Sequence, residues 1–107
     1  MSKPDDAFPA LADPTRRGIL ELLRETREAT AGEIAARFPT ISRPAVSRHL
    51  RVLRESGLVR ARETGREWHY ELEPDALARV YQEWFAPFER LWDESLARLK
   101  RRAEQGD

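Results

Sequence analysis

The chain has 107 residues, enough for one domain with a modest hydrophobic core. It has no cysteine, which excludes disulfide bonds and thiolate metal sites, and no apolar run long enough to span a membrane. Its 19 basic and 19 acidic residues balance, so the net charge by itself indicates no partner. Because the first residues also lack the apolar stretch of a signal peptide, we expect a cytoplasmic protein.

The N-terminal part of the chain predicts two helical segments. We expect one short helical turn over Phe8–Ala12. A helix then runs from Pro14 to about residue 28, because Asp13 can cap it and proline is tolerated at its first position. One face of this helix is apolar, which predicts packing against a core, and it carries Ile19, Leu20 and Leu23.

Two further helices follow, separated by a short turn. Thr30 and Glu33 have the spacing of a capping box, which predicts a helix over residues 30–38. Ser42 can cap a second helix over residues 42–57. Pro44 lies in its first turn, where the missing backbone N–H is harmless because it would have no partner within the helix. Gly57 supplies the left-handed residue with which helices commonly end.

The second of these helices has two contrasting faces. At 100° per residue, Val46, Leu50 and Leu53 fall on one side and must pack inward. The opposite side is small, polar and cationic and consists of Pro44, Ser47, Arg48 and Arg51. Small residues let a helix backbone approach DNA, and arginine is the commonest bidentate reader of guanine. This face therefore predicts major-groove contacts.

The segment Leu58–Leu72 predicts a β-hairpin that turns at Thr64-Gly65. Trp68, Tyr70 and Leu72 alternate onto one side of the second strand, and we expect that side to pack on the helices. Helix, turn, helix and hairpin in this order predict a mainly α fold with a small β wing, the winged helix-turn-helix.

Charge is divided between two zones of the chain. Residues 43–66 contain seven arginines and two acidic residues, whereas residues 67–99 contain eight acidic residues and three arginines. The cationic zone coincides with the second helix and the hairpin, as expected for a protein that binds the phosphates of double-stranded DNA. The predicted DNA-binding residues are Arg43, Pro44, Ser47, Arg48, His49, Arg51 and Arg66. The rival hypothesis is a winged helix used only to bind other proteins, which would not need a cationic face.

Residues 75–104 repeat apolar side chains every three or four positions, with a kink predicted near residues 83–87 because of Pro87. So apolar a terminal helix predicts a homodimer. The alternatives are that it packs on its own winged helix or encloses an inducer pocket. We expect one domain over residues 1–107, with a winged-helix core at 7–73 and a dimerisation helix at 74–104. The predicted interface on that helix comprises Trp84, Phe88, Leu91, Trp92, Leu96 and Leu99.

The sequence resembles the ArsR family of bacterial winged-helix repressors from about Phe8 to Leu99. The segments that carry the resemblance are Ala10-Leu11-Ala12-Asp13-Pro14-Thr15-Arg16-Arg17, Ala45-Val46-Ser47-Arg48-His49-Leu50, Glu55-Ser56-Gly57-Leu58-Val59, and Gly65-Arg66 with Tyr70-Glu71-Leu72. Together they are specific, although each alone would be weak.

The resemblance implies a homodimer joined through its terminal helices, which adds Phe8 and Leu11 to the expected interface, and an inverted-repeat operator near the protein's own promoter. The aromatic C-terminal helix is similar to the metal-independent branch that includes the sporulation-delay autorepressors. Two features depart from the family. The turn Phe38–Ser42 is one residue longer than usual, and we expect Pro9 to shorten a helix that the family uses at its dimer interface.

Metal binding and catalysis find no support in the residues. The family's metal sites use cysteines near the recognition helix or histidines on the C-terminal helix, and this chain has neither. His49 is interpreted as a packing residue that can also donate to a phosphate, and His69 as an exposed residue. No nucleophile–histidine–acid arrangement or phosphate loop is visible. We therefore expect no enzyme activity, no metal and no cofactor, and the sequence leaves any inducer unidentified.

Overall fold

The computed structural model describes residues 4–106, with side chains from residue 7 onward. The expectations for residues 1–3 and 107 therefore lie outside the described part of the chain. The elements in order are α1 (Pro4–Leu11), α2 (Pro14–Thr26), β1 (Glu28–Thr30), α3 (Ala31–Ala36), α4 (Arg43–Glu55), β2 (Val59–Thr64), β3 (Glu67–Leu72), α5 (Pro74–Val80), a π-helical turn (Tyr81–Phe85), a 3₁₀ turn (Ala86–Phe88) and α6 (Glu89–Gln105).

The predicted helix caps are confirmed. The Asp13 carboxylate accepts from the backbone N–H of Arg16 at the start of α2. Thr30 and Glu33 form both hydrogen bonds of a capping box at α3. Ser42 accepts from the backbone N–H of Ala45 at the start of α4. These three caps fix where the helices of the helix-turn-helix begin.

Two elements differ from the sequence prediction. Helix α1 is longer than the turn expected over Phe8–Ala12, and Pro9 lies inside it, two residues before its end at Leu11. The strand β1 was missed altogether. It has only three residues, and it pairs antiparallel with β3, so the wing is a three-stranded sheet in the order β1-β3-β2. A strand this short leaves no readable alternation in sequence.

The predicted hairpin is confirmed. β2 and β3 pair antiparallel from Val59 opposite Leu72 to Thr64 opposite Glu67, and the turn between them contains Gly65 at φ 62°. Gly57, which follows the end of α4, also has a positive φ of 80°. Glycine adopts this left-handed conformation without the steric cost that a Cβ imposes.

The core lies between the helices and the inner face of the wing. Ile19, Leu23, Ile34, Leu50, Leu53 and Leu58 are its most completely buried large side chains. Tyr70 of β3 is buried against it and Leu72 is half-buried, but Trp68 is 44% exposed. The Trp68–Leu72 side therefore faces the helices as expected at Tyr70 and Leu72, whereas Trp68 remains largely exposed and meets α4 through the side chain of Arg54.

The C-terminal segment changes its helical geometry where the sequence predicted a kink. Because Pro87 has no N–H and its ring crowds the carbonyl of Glu83, regular α-helix cannot continue. The chain passes through the π-helical and 3₁₀ turns, and α6 begins at Glu89. Helix α5 contributes Ala76 and Val80 to the core, whereas α6 buries no side chain.

Candidate nucleic-acid interface

The outward face of α4 is open to solvent along its first three turns. Its apolar residues Val46, Leu50 and Leu53 are buried in the core. The residues on the other side are all exposed, namely Arg43, Pro44, Ser47, Arg48 and Arg51. The structure therefore brings five of the seven predicted DNA-binding residues onto one exposed helix face.

Not every arginine of the cationic zone is available to a partner. Arg60 forms ion pairs with Glu71 at 2.9 Å and Glu73 at 3.2 Å, and Arg62 pairs with Glu28 at 2.8 Å. The hydrogen bond with Glu71 is the main reason that the pKa of Arg60 is raised. These two arginines hold the sheet together, and the linear charge count does not separate them from the others.

The arginines on α4 and at the hairpin tip have a different environment. Among the side chains of residues 7–106, the ion pairs involve none of Arg43, Arg48, Arg51 and Arg66. All four side chains are exposed. Their charges are therefore not neutralised by acidic groups of the described fold, and they can attract the phosphates of a nucleic acid.

A groove of about 680 Å³ separates the start of α4 from the wing. Its lining includes Gly32 of α3, Arg43 and Ser47 of α4, and Arg66 and Trp68 of the hairpin. The guanidinium carbon of Arg54 lies 5.6 Å from the centroid of the Trp68 ring, a cation–π contact. Sequence reasoning missed Trp68 and Arg54 as members of this surface. The signal in the sequence was the position of Trp68 close to the hairpin turn, at the end of the wing.

His49 lies on the flank of α4 and is half-buried. Its Nδ1 is 3.3 Å from Nη1 of Arg16 and 3.9 Å from Oδ2 of Asp13, both on the N-terminal side of the core. A guanidinium group can only donate, so Nδ1 must accept in this contact and the proton of the neutral ring resides on Nε2. His49 is thus a packing residue that retains a donor.

The second exposed surface lies at the C-terminal end and is apolar. We call it the C-terminal stripe, and it consists of Tyr81, Trp84, Phe88, Leu91, Trp92, Leu96 and Leu99, all classed as exposed large hydrophobic residues. Leu91, Leu96 and Leu99 are between 55 and 61% exposed. The hydroxyl of Tyr81 donates a hydrogen bond to Glu89, and this bond raises the pKa of Tyr81.

Helix α1 adjoins this stripe. The ring of Phe8 packs edge-on against Trp84, with centroids 5.5 Å apart, and Phe88 lies 5.1 Å from Trp84. Phe8 and Leu11 are half-buried against the core. The structure therefore places Phe8, one of the two α1 residues of the expected interface, against the start of the C-terminal stripe.

The acidic and histidine residues do not converge on a metal site. Among the side chains that the structure describes, those of residues 7–106, no group of three or more histidine, aspartate and glutamate residues could hold a metal ion. His69 is half-buried, which corrects the expectation of an exposed residue. It lies 3.1 Å from Glu28 and 3.7 Å from Glu67.

The helices that the structure describes are all too short or too polar to cross a membrane.

Comparisons with known proteins agree with this geometry. A family model described as a helix-turn-helix domain matches residues 11–62. The HTH-type transcriptional regulator Rv2034 of Mycobacterium tuberculosis is 43% identical over 93 residues, which cover 87% of this chain and 81% of that protein. The transcriptional repressor SdpR of Bacillus subtilis is 38% identical over 73 residues, covering 68% of this chain and 79% of that protein.

Solved structures show the same fold. The crystal structure of the ArsR family transcriptional regulator RHA00566 has a TM-score of 0.70 at 33% identity and covers 87% of this chain and 97% of its own. The homodimeric winged helix-turn-helix DNA-binding domain of Mb0332 from Mycobacterium bovis has a TM-score of 0.61 at 31% identity, covering 84% and 78%. With its exposed cationic α4 and its wing, the chain belongs to the ArsR family of winged helix-turn-helix transcriptional regulators and acts by binding DNA.

Proposed function

We propose that this regulator is a homodimeric repressor that binds an inverted-repeat operator in double-stranded DNA. The observation that carries the proposal is the exposed face of α4, on which Arg43, Arg48 and Arg51 form no ion pair with the side chains of residues 7–106. This favours DNA over a protein partner, because several unneutralised cations along one helix face are the electrostatic pattern expected for phosphate binding.

The residues of the face divide by the chemistry they offer. Arg48 and Arg51 lie in the middle of α4 and are proposed to read base edges in the major groove. The side chains of Pro44 and Ser47 are small, so that the backbone of α4 can come close to the DNA. Arg43, at the first position of α4, is proposed to bind backbone phosphate.

Two further residues extend the proposed contact on either side of α4. Arg66, beside the turn glycine Gly65, is proposed to contact phosphate or the minor groove. The Nε2–H of His49 is proposed to donate to a phosphate, since its Nδ1 accepts from Arg16. Together with α4, they give a contact that combines sequence reading with positioning on the backbone.

The C-terminal stripe is the proposed dimer surface, joined by Phe8 and Leu11 of α1. Seven exposed large apolar side chains on one terminal segment exceed what a small monomeric protein usually leaves uncovered. The Mb0332 domain, which has the same fold, is homodimeric. A two-fold dimer places two recognition helices about one helical turn of DNA apart, which is why an inverted repeat is the expected operator.

We assign the whole chain to one domain, with a winged-helix core at 7–73 and dimerisation through 74–104. We also place the protein in the metal-independent branch of the family and in the cytoplasm, where its DNA target lies. The absence of cysteine from the chain and of histidine from α6 supports the assignment to the metal-independent branch. No catalytic role or cofactor is proposed, and any inducer is left open.

A selection from random duplexes tests the proposal. The protein should enrich a palindromic site, and sedimentation should show a dimer alone and one dimer per duplex in the complex. Enrichment of a single half-site by a monomer would contradict the dimer. Failure to enrich any sequence at moderate salt would contradict sequence-specific DNA binding.

A further inference from the structure

Arg16, a residue of α2, contacts two other helices, α1 and α4. From the first turn of α2, its Nε donates to the carbonyl of Ala10 at 2.8 Å and its Nη2 to the carbonyl of Pro9 at 3.0 Å. Its Nη1 lies 3.3 Å from Nδ1 of His49 on α4. One planar side chain with fixed donor directions therefore links the end of α1 to the recognition helix.

The end of α1 depends on such contacts. The last carbonyls of a helix have no partner within the helix, and here two arginines of α2 supply donors to them. Arg16 binds Pro9 and Ala10, and Arg17 binds the carbonyl of Leu11 at 2.8 Å. The two arginines differ in one respect: among the described residues, Arg17 forms no hydrogen bond or ion pair with α4.

Helix α1 is in turn attached to the proposed dimer surface. Phe8 immediately precedes Pro9 and Ala10, whose carbonyls Arg16 binds, and its ring packs against Trp84 of the C-terminal stripe and Phe85 beside it. A continuous series of contacts thus runs from the stripe through α1 and Arg16 to His49 on α4. Rigid contacts of this kind can set how two elements lie relative to each other.

We propose that Arg16 is a positioning residue for DNA binding, which fixes the recognition helix relative to the dimer surface by joining the end of α1 to His49. This inference rests on the proposed homodimer. In the dimer, the position of each α4 relative to the dimer surface determines the separation of the two recognition helices. Arg16 therefore restricts the half-site spacing that the dimer accepts, without touching DNA itself.

The separation of the two α4 helices can be measured without DNA. Because the chain has no cysteine, a single Glu55→Cys change at the exposed end of α4 gives one spin label per subunit. Double electron–electron resonance on the labelled dimer should give one narrow distance peak. Adding Arg16→Ala should broaden and shift that peak, whereas adding Arg17→Ala, which removes only a contact to α1, should leave it unchanged.

A second variant tests the inference independently, in case Arg16→Ala does not fold. His49→Phe keeps a planar ring in place, removes the acceptor for Arg16 and leaves the bonds to α1 intact, so it should broaden the peak in the same way. Circular dichroism establishes that each variant is folded. A peak in both folded variants as narrow as that of the parent would overturn the inference while leaving the dimer in place. A labelled parent with no inter-label distance would overturn the dimer, and the inference with it.

Discussion

The recognition helix α4 and the C-terminal helix α6 have similar amphipathic patterns, but the apolar face of α4 is buried and that of α6 is exposed. Helix α4 buries Val46, Leu50 and Leu53 and exposes arginines, whereas α6 buries nothing and exposes leucine and tryptophan. The difference shows that an amphipathic pattern specifies two faces without specifying what covers the apolar one. On α4 the chain's own core covers it. On α6 a second subunit is the proposed cover.

The largest expected effect comes from placing charge in the C-terminal stripe. The double change Trp92→Glu, Leu96→Glu should give a folded monomer that no longer binds operator, because burial of one large aromatic side chain at an interface can contribute about 2 kcal/mol or more. Sedimentation and fluorescence anisotropy with labelled operator measure the two effects. The matched control is Ala97→Glu, on the opposite side of α6, which should remain a dimer. A parent protein that sediments as a monomer at micromolar concentrations would refute the dimer model.

Next in size is the loss of one arginine from α4. Arg48→Ala and Arg51→Ala should each weaken operator binding by about 1–3 kcal/mol and relax specificity at the base they contact, with thermal unfolding almost unchanged. Arg62→Ala provides the control, because Arg62 belongs to the same cationic zone but is paired with Glu28. If all three variants lose affinity equally, general positive charge, and not the exposed face of α4, is responsible for binding.

The wing should contribute less than α4 to the affinity for DNA. Arg66→Ala is expected to weaken binding to all sequences alike and to reduce the slope of log affinity against log salt by about one unit, as for the loss of one phosphate contact. Titrations at several salt concentrations with operator and with an unrelated duplex measure both quantities. An unchanged slope would show that the hairpin tip does not reach the DNA backbone.

A smaller effect is expected on folding at low pH. The backbone N–H of Arg16 is the main cause that lowers the pKa of Asp13 below its ordinary value of 3.8, although burial opposes the shift. A carboxylate whose pKa is lower in the folded state stabilises the fold above its unfolded pKa, and this stabilisation is lost as the pH falls through the folded pKa. Thermal unfolding at pH 7 and pH 3 should therefore show a smaller pH dependence for Asp13→Asn than for the parent.

The sequence predicts most of this fold because its signals are local. Caps such as Thr30 and Glu33, the turn glycine Gly65 and the helical periodicity each act within a few residues. Strand β1 and the exposure of Trp68 were not predictable, since both depend on how distant segments meet. For the candidate site, sequence placed the arginines on α4, but only the structure separates these from Arg60 and Arg62, which pair with acidic residues far away in the chain.

The smallest expected effect is the response to metals, which tests what the C-terminal region is for. In this region α6 exposes apolar side chains where a metal site would need ligands. Glu89 and Asp93 lie four residues apart on α6, the spacing of a possible ligand pair, but Glu89 accepts a hydrogen bond from Tyr81. Because the chain has no cysteine, low micromolar Zn²⁺, Cd²⁺ or arsenite should leave the operator-bound fraction unchanged in anisotropy measurements. Stoichiometric release that a chelator reverses would show that carboxylates form a site with His49 or His69, and that the protein senses metal through a site outside the C-terminal stripe.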